Sequence, residues 1–221
     1  MGLFSSRELA VGAVGHRPNL LPENTRADVA ARQAAALDAI EKAGQESGAK
    51  KFVLISALAE GADRYAAEAA LARHWALESP LPFSVKRYEQ DFDEKASVKQ
   101  FRALKKKARK VHPMPENDDD ERAAYAAVGR AVADACEVLL CVWNGDAAKG
   151  PGGTAHVVAL ALAQGKPVVW LGVQPGPGRL ILPTKKAAAK GKTAAKLREA
   201  LTDAFEATMP PDTLRGALDL K

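Results

Sequence analysis

Residues 137–165, EVLLCVWNGDAAKGPGGTAHVVALALAQG, set the strongest limit on what this chain can fold into. The almost unbroken apolar run at 138–143 has the pattern of a strand covered on both faces, as in a parallel sheet with crossover helices above and below it. Gly150-Pro151-Gly152-Gly153 breaks that pattern. Val157, Val158, Leu160, Ala161 and Leu162 then recur at roughly helical spacing until Gly165 supplies a stop. In the order strand, glycine loop, helix, the first N–H groups of the helix lack intrahelical partners and sit at the positive end of its macrodipole. With Gly152 and Gly153 bare and Thr154 offering a hydroxyl, this stretch can bind an anion such as phosphate. Taken alone, the same glycines serve equally well as a tight connection.

Two earlier transitions have the same form. Residues 8–14 read as a strand that ends at Gly15-His16-Arg17-Pro18, because proline removes a ladder donor and holds Arg17 in extended backbone. Arg17 is therefore expected to project from the strand's carboxyl end. A helix capped by Asn24 or Thr25 runs to Glu46, followed by a strand at 51–55. That strand enters Ser56-Ala57-Leu58-Ala59-Glu60-Gly61-Ala62-Asp63-Arg64 and then a helix to about residue 75. The loop's small residues admit close backbone approach, and Glu60 or Asp63 stands where a carboxylate can meet a ribose hydroxyl. Asp63 suits the role of a helix cap equally.

Further along, the sequence predicts a strand at 81–87, a loop at 88–92 and helices at 101–110 and from about 117 to 135. Tyr88 can cover a base or simply stand at a rim. A last core strand lies near 168–171, and the core is expected to end near Pro183. Residues 1–183 then form one domain, and 184–221 a basic linker with an appended helix at about 197–207. The alternation of strand and helix predicts an α/β fold, a Rossmann-like three-layer sandwich with a mostly parallel central sheet. If the strands at 8–14 and 138–143 are central neighbours, Gly15, His16 and Arg17 meet the 150–154 loop at the topological switch point, flanked by the 56–64 loop. Asn144, Gly145 and Lys149 belong to the same candidate crevice. Lys149 would act as a second cation and His156 as a hydrogen-bonding group more than a base.

Charge and composition narrow the function classes. Lys+Arg 32 against Asp+Glu 27 gives +5, which suits an anionic ligand. The basic residues are spread out and aromatics make up only 5%, which argues against a dedicated nucleic-acid binder. Cys136 and Cys141 have no metal-ligand spacing, and no metal site is expected. With no apolar run of about 18 residues and no charged-then-apolar leader, a cytoplasmic protein without a membrane span is expected.

Together, Gly15-His16-Arg17-Pro18, Ser56 to Asp63 and Gly150-Pro151-Gly152-Gly153-Thr154-Ala155 resemble the SLOG superfamily of Rossmann-like nucleotide-binding domains, over residues 8–173. That superfamily includes the LOG phosphoribohydrolases, the DNA-processing protein DprA and sensors of nucleotide-derived messengers. The resemblance implies binding or sensing of a mononucleotide, ADP-ribose or another NAD derivative, with no cofactor beyond that ligand. A sensor of this kind implies an effector protein or a homo-oligomer to carry its output. The LOG loop, PGGxGTxxE, ends in a glutamate that acts in N-glycosidic cleavage, and the matching position here is Val157. The alternative reading, a LOG-like phosphoribohydrolase or another N-glycosidase, would need a carboxylate from elsewhere: Glu60, Asp63 or Asp91. Residues 56–63 are also similar to the SGxAxGID pattern of DprA, with Ala57 and Ala62 at its glycine and isoleucine. This implies, as a third reading, single-stranded DNA binding.

Overall fold

The structure is a computed structural model and describes residues 6–115, 120–147, 150, 152–184, 187–188 and 190–215. Its frame is one eight-stranded sheet. The strands are β1 Glu8–Gly15, β2 Lys51–Ile55, β3 Ala76–Leu81, β4 Lys110–Pro113, β5 Val138–Val142, β6 Val168–Leu171, β7 Arg179–Ile181 and β8 Glu206–Thr208. Across the sheet they run β4-β3-β2-β1-β5-β6-β7-β8. Every pair is parallel except β6 with β7.

The helices are α1 Arg26–Glu46, α2 Ala62–Ala72, α3 Val85–Tyr88, α4 Lys95–Lys107, α5 Glu121–Ala135, α6 Thr154–Ala163, α7 Lys192–Ala204 and α8 Asp212–Arg215. Burial explains the three layers. Along β5, Val138, Leu140 and Val142 join a core with Leu37 and Ile40 of α1 and Leu197 and Leu201 of α7. The alternate residues Leu139 and Cys141 join Val157, Val158 and Ala161 of α6 on the opposite face. Strict alternation on a strand with two covered faces is what the continuous apolar run demanded.

The order reverses at β1, which has β2 on one side and β5 on the other, so the expected switch point lies between β1 and β5. Gly15 pairs with Val142, and the two strands end level. His16 continues the ladder by one bond, donating its N–H to the Val142 carbonyl at 3.1 Å.

Several element boundaries differ from the sequence reading. The third strand spans Ala76–Leu81, and residues 85–88 form α3, capped by Ser84, whose Oγ accepts from the Arg87 N–H at 3.4 Å. β3 pairs with β2 as far as Glu78, where β2 ends at Ile55, and continues beside β4 through Leu81. Helix α4 ends at Lys107, and residues 110–113 form edge strand β4. The segment after residue 183 also differs from a linker with an appended helix. Helix α7 buries Leu197, Ala200 and Leu201, and β8 extends the central sheet beside β7. Phe205 joins the core on the α1 side.

Candidate functional site

At the carboxyl ends of β1, β2 and β5 lies a cavity of about 330 Å³. The β1 loop brings Gly15, His16 and Arg17 to its wall, the β2 loop brings Ala57 and Asp63, and the β5 loop brings Asn144, Gly152, Gly153 and Thr154. The three loops converge as expected. Of the other sequence candidates, Ser56, Glu60, Gly61, Arg64, Gly145, Gly150 and His156 do not line it. Lys149, and with it Pro151, lies outside the described residues.

The residues that miss the wall hold the loops that form it. Gly61 adopts φ +85°, and a Cβ there would sit 2.7 Å from the His16 carbonyl oxygen, so bare backbone lets the first two loops touch. Arg64 turns away from the cavity. Its Nε donates to the Leu58 carbonyl at 3.0 Å and its Nη1 to Ser97 Oγ at 2.8 Å, while the guanidinium lies 4.4 Å from the Phe92 ring centroid. Glu60 accepts from the same Ser97 hydroxyl. Both side chains therefore tie the β2 loop to α4. Gly145 is bound from below, its carbonyl accepting from Thr213 Oγ1 of α8 at 2.7 Å.

The glycines of the β5 loop divide into two roles. Gly152 has φ +83°, and a Cβ would meet the Tyr125 backbone carbon of α5 at 2.6 Å. It is bare because α5 passes against it. At Gly153 a Cβ would touch nothing closer than the Gly150 carbonyl oxygen, at 3.5 Å. Gly153 is the N-cap of α6 and has no side chain to bond the helix's first N–H groups. His156 acts within the loop, its Nδ1 accepting from the Gly152 N–H at 3.0 Å. His16 ties the β1 loop to the β5 loop, its Nε2 accepting from the Asn144 N–H at 3.2 Å.

Asp63 is 5% exposed and points into the cavity. Ser56 Oγ donates to it at 3.3 Å, and the amides of Ala59 and Gly15 face it. Burial outweighs these donors and the nearby Arg17 guanidinium, and its carboxyl is pushed up to about 7. It is a cavity residue and not the helix cap, a position taken by Gly61.

Tyr125 of α5 and Tyr88 of α3 complete the polar wall. Arg17 Nη2 donates to Tyr125 Oη at 3.1 Å, and the Tyr125 hydroxyl donates on to Asp91, which Arg87 also holds at 2.6 Å. Burial and the Asp91 contact push the Tyr125 phenol up to about 12. Tyr88 is fully buried among Phe92 and Phe101, lines the cavity, and its hydroxyl has no hydrogen-bond partner among the described residues. Tyr125 carried no sequence signal, since it sits within an ordinary alanine-rich helix.

The position of the LOG glutamate is occupied by Val157, which is buried and packed against Gly129 of α5. Among the described residues the carboxylates that reach the cavity are Asp63 and Asp146, the second accepting from Asn144 Nδ2 at 2.5 Å; Asp91 stands behind Tyr125 in an adjoining depression.

Among solved structures, the chain is similar to DNA processing protein A (DprA) from Streptococcus pneumoniae, with a TM-score of 0.50 and 14% identity. The match covers 94% of this chain and 61% of that one, so the chain spans less than two thirds of that protein's length. The likeness is one of fold, a Rossmann-like α/β sandwich. DprA from Helicobacter pylori matches at a TM-score of 0.46 and 20% identity, over 88% of this chain and 81% of that one. The Moco carrier protein of Chlamydomonas rheinhardtii matches at 0.43 and 15%, over 96% and 97%. No protein-family model matches the sequence, and no curated protein does. In this Rossmann-like fold the cavity occupies the switch-point crevice, and among the described residues no helix is long and apolar enough to cross a membrane.

Proposed function

We propose that the protein binds a phosphate-bearing nucleotide or NAD-derived ligand in the switch-point cavity. The observation that carries this reading is the meeting, in one cavity, of the uncapped N-terminus of α6 with the Arg17 guanidinium and the Asp63 carboxyl. Backbone N–H groups at Thr154 and Ala155 and the Arg17 charge complement a phosphate. Apolar walls from Val128, Val132, Trp143 and Val157 suit a flat, uncharged portion such as a base. Asp63 suits a sugar hydroxyl.

Arg17→Ala tests the reading. It removes one charged hydrogen bond, and nucleotide affinity is expected to fall roughly tenfold or more. The fold should survive, because Tyr125 keeps its bond to Asp91. Gly153→Val should weaken binding in the same way, by placing a side chain at the head of α6. Unchanged affinity in both folded variants, measured by calorimetry, would remove the site assignment.

A second reading is favoured by one observation: Asp63, a carboxyl poised near 7, stands in the cavity although the LOG glutamate position is a valine. An N-glycosidic bond develops positive charge on the sugar as it breaks, and a carboxylate stabilises that charge. Accumulation of free base from a nucleoside monophosphate, abolished in Asp63→Asn, would establish hydrolysis. A ligand recovered intact leaves binding as the function.

A further inference from the structure

The part of the β5 loop that lines the cavity, Trp143, Asn144 and Asp146, turns at Gly145, where φ is +88°. Within the turn, Asn144 Nδ2 donates to the Asp146 carboxylate at 2.5 Å, the Asp146 N–H donates back to Asn144 Oδ1 at 3.1 Å, and the Trp143 indole N–H donates to the Asp146 carbonyl at 2.9 Å. These bonds shape the turn without tying it to another element. His16 ties the Asn144 N–H to the β1 loop, and Thr213 ties the apex to α8, its Oγ1 donating to the Gly145 carbonyl at 2.7 Å from 68 positions further along the chain. A Cβ at Gly145 would lie 3.7 Å from Trp170 Cζ2 and 4.0 Å from Pro211 Cγ, so the apex is flanked by β6 and by the residue that leads into α8.

Helix α8 is a single turn with few buried contacts. Leu214 is 2% exposed and belongs to the same buried cluster as Trp143, Val168 and Ile181, whereas Met209, five residues earlier, is 68% exposed. Strand β8, which delivers the segment, is three residues long and pairs, among the described residues, with β7 alone. What a buried leucine and a hydrogen bond contribute is comparable to the conformational entropy of ordering the residues that carry them. Such an element opens locally while the rest of the sheet stays closed. When α8 opens, the Gly145 carbonyl loses its partner, and the turn that presents Asn144 and Asp146 to the cavity loses the tie at its apex.

We propose that α8 is a latch on the cavity, with Thr213 and Leu214 as positioning residues. Closed, it fixes Asn144 and Asp146 in the geometry that receives a nucleotide; open, it lets the turn relax and lowers affinity. The latch presupposes the nucleotide-binding reading and adds a means of regulating it. By linkage, a nucleotide that binds the closed form better holds α8 closed by the same factor, so occupancy of the cavity is transmitted to the surface beside β8.

Amide hydrogen exchange, and calorimetry with AMP, ADP-ribose and NAD, test this on wild type, Thr213→Val, Leu214→Ser and the control Met209→Ser. Without nucleotide, Leu214→Ser is expected to speed exchange both at 209–214 and at 143–147, with little change in melting temperature. Affinity should fall roughly tenfold in Leu214→Ser, within the usual range of coupling between sites. In Thr213→Val it should fall about fivefold, the scale of one hydrogen bond, and in Met209→Ser it should not change. In wild type, bound nucleotide should slow exchange at 209–214, which a purely structural α8 would not show. Unchanged exchange at 143–147 or unchanged affinity in Leu214→Ser overturns the latch and leaves the nucleotide site standing. So does a large fall in its melting temperature, which would make α8 part of the cooperative core. Failure of all three compounds to bind wild type overturns the nucleotide reading and the latch with it.

Discussion

Gly152→Ala is expected to destabilise the protein by about 2–4 kcal/mol, combining a left-handed backbone that L side chains resist with an overpacked contact. The φ of +83° and the 2.6 Å approach to the Tyr125 backbone carbon leave the new methyl nowhere to go, because the obstacle is the main chain of α5 and not a side chain that can rotate. For a chain of this length the loss corresponds to a fall in melting temperature on the order of 10 °C. Gly153→Ala, one position on, is the control. Its φ is −69° and its Cβ would meet only the Gly150 carbonyl oxygen at 3.5 Å, so stability should change by less than about 1 kcal/mol. Thermal denaturation of the two variants separates the roles, and equal losses in both would contradict the assignment of Gly152 to packing against α5.

Asp63 predicts a second large effect, on the pH dependence of stability. Burial pushes its carboxyl up to about 7 in the folded protein from an ordinary value of 3.8, so the folded state holds the proton more tightly than the unfolded one. The contribution to stability is fully present below about pH 4, declines as pH rises, and is lost once pH passes 7. The whole span is worth on the order of 4 kcal/mol. Asp63→Asn keeps the shape, retains an acceptor for Ser56 and removes the titration. Its stability relative to wild type is therefore expected to improve from pH 4 to about pH 7 and to level off above that, by denaturant unfolding at each pH. A difference that does not change with pH would mean that Asp63 is solvated and ordinary.

The central strands were legible because two covered faces force runs of apolar and small residues, as at 9–14, 52–55, 138–143 and 168–171. Strands β4, β7 and β8 were not legible. KVHP, RLI and EAT are three or four residues long, and they pair because a neighbouring strand already offers its ladder. In the site, Arg17 was legible through Pro18, which fixes how the chain leaves β1. Glu60, Asp63 and Arg64 were indistinguishable as sequence, since all three fall on one loop and helix start. Successive helix residues point about 100° apart, so Asp63 faces the cavity while Arg64 faces α4, where Ser97 and Gln100 receive it. Tyr125 reaches the cavity only through the packing of α5, which no local pattern encodes, while Tyr88, read as a base cover or a rim residue, lies fully buried in the α3 cluster at the cavity wall.

The central claim is that the switch-point cavity holds a phosphate-bearing nucleotide, and its most direct test is retention. Purified protein is mixed with AMP, ADP-ribose, NAD and cyclic nucleotides in turn, each mixture is ultrafiltered, and the bound species are identified by chromatography. The account predicts that at least one of these is retained by wild type and released by Arg17→Ala. Absence of retention for all of them, or retention that Arg17→Ala leaves untouched, would contradict it.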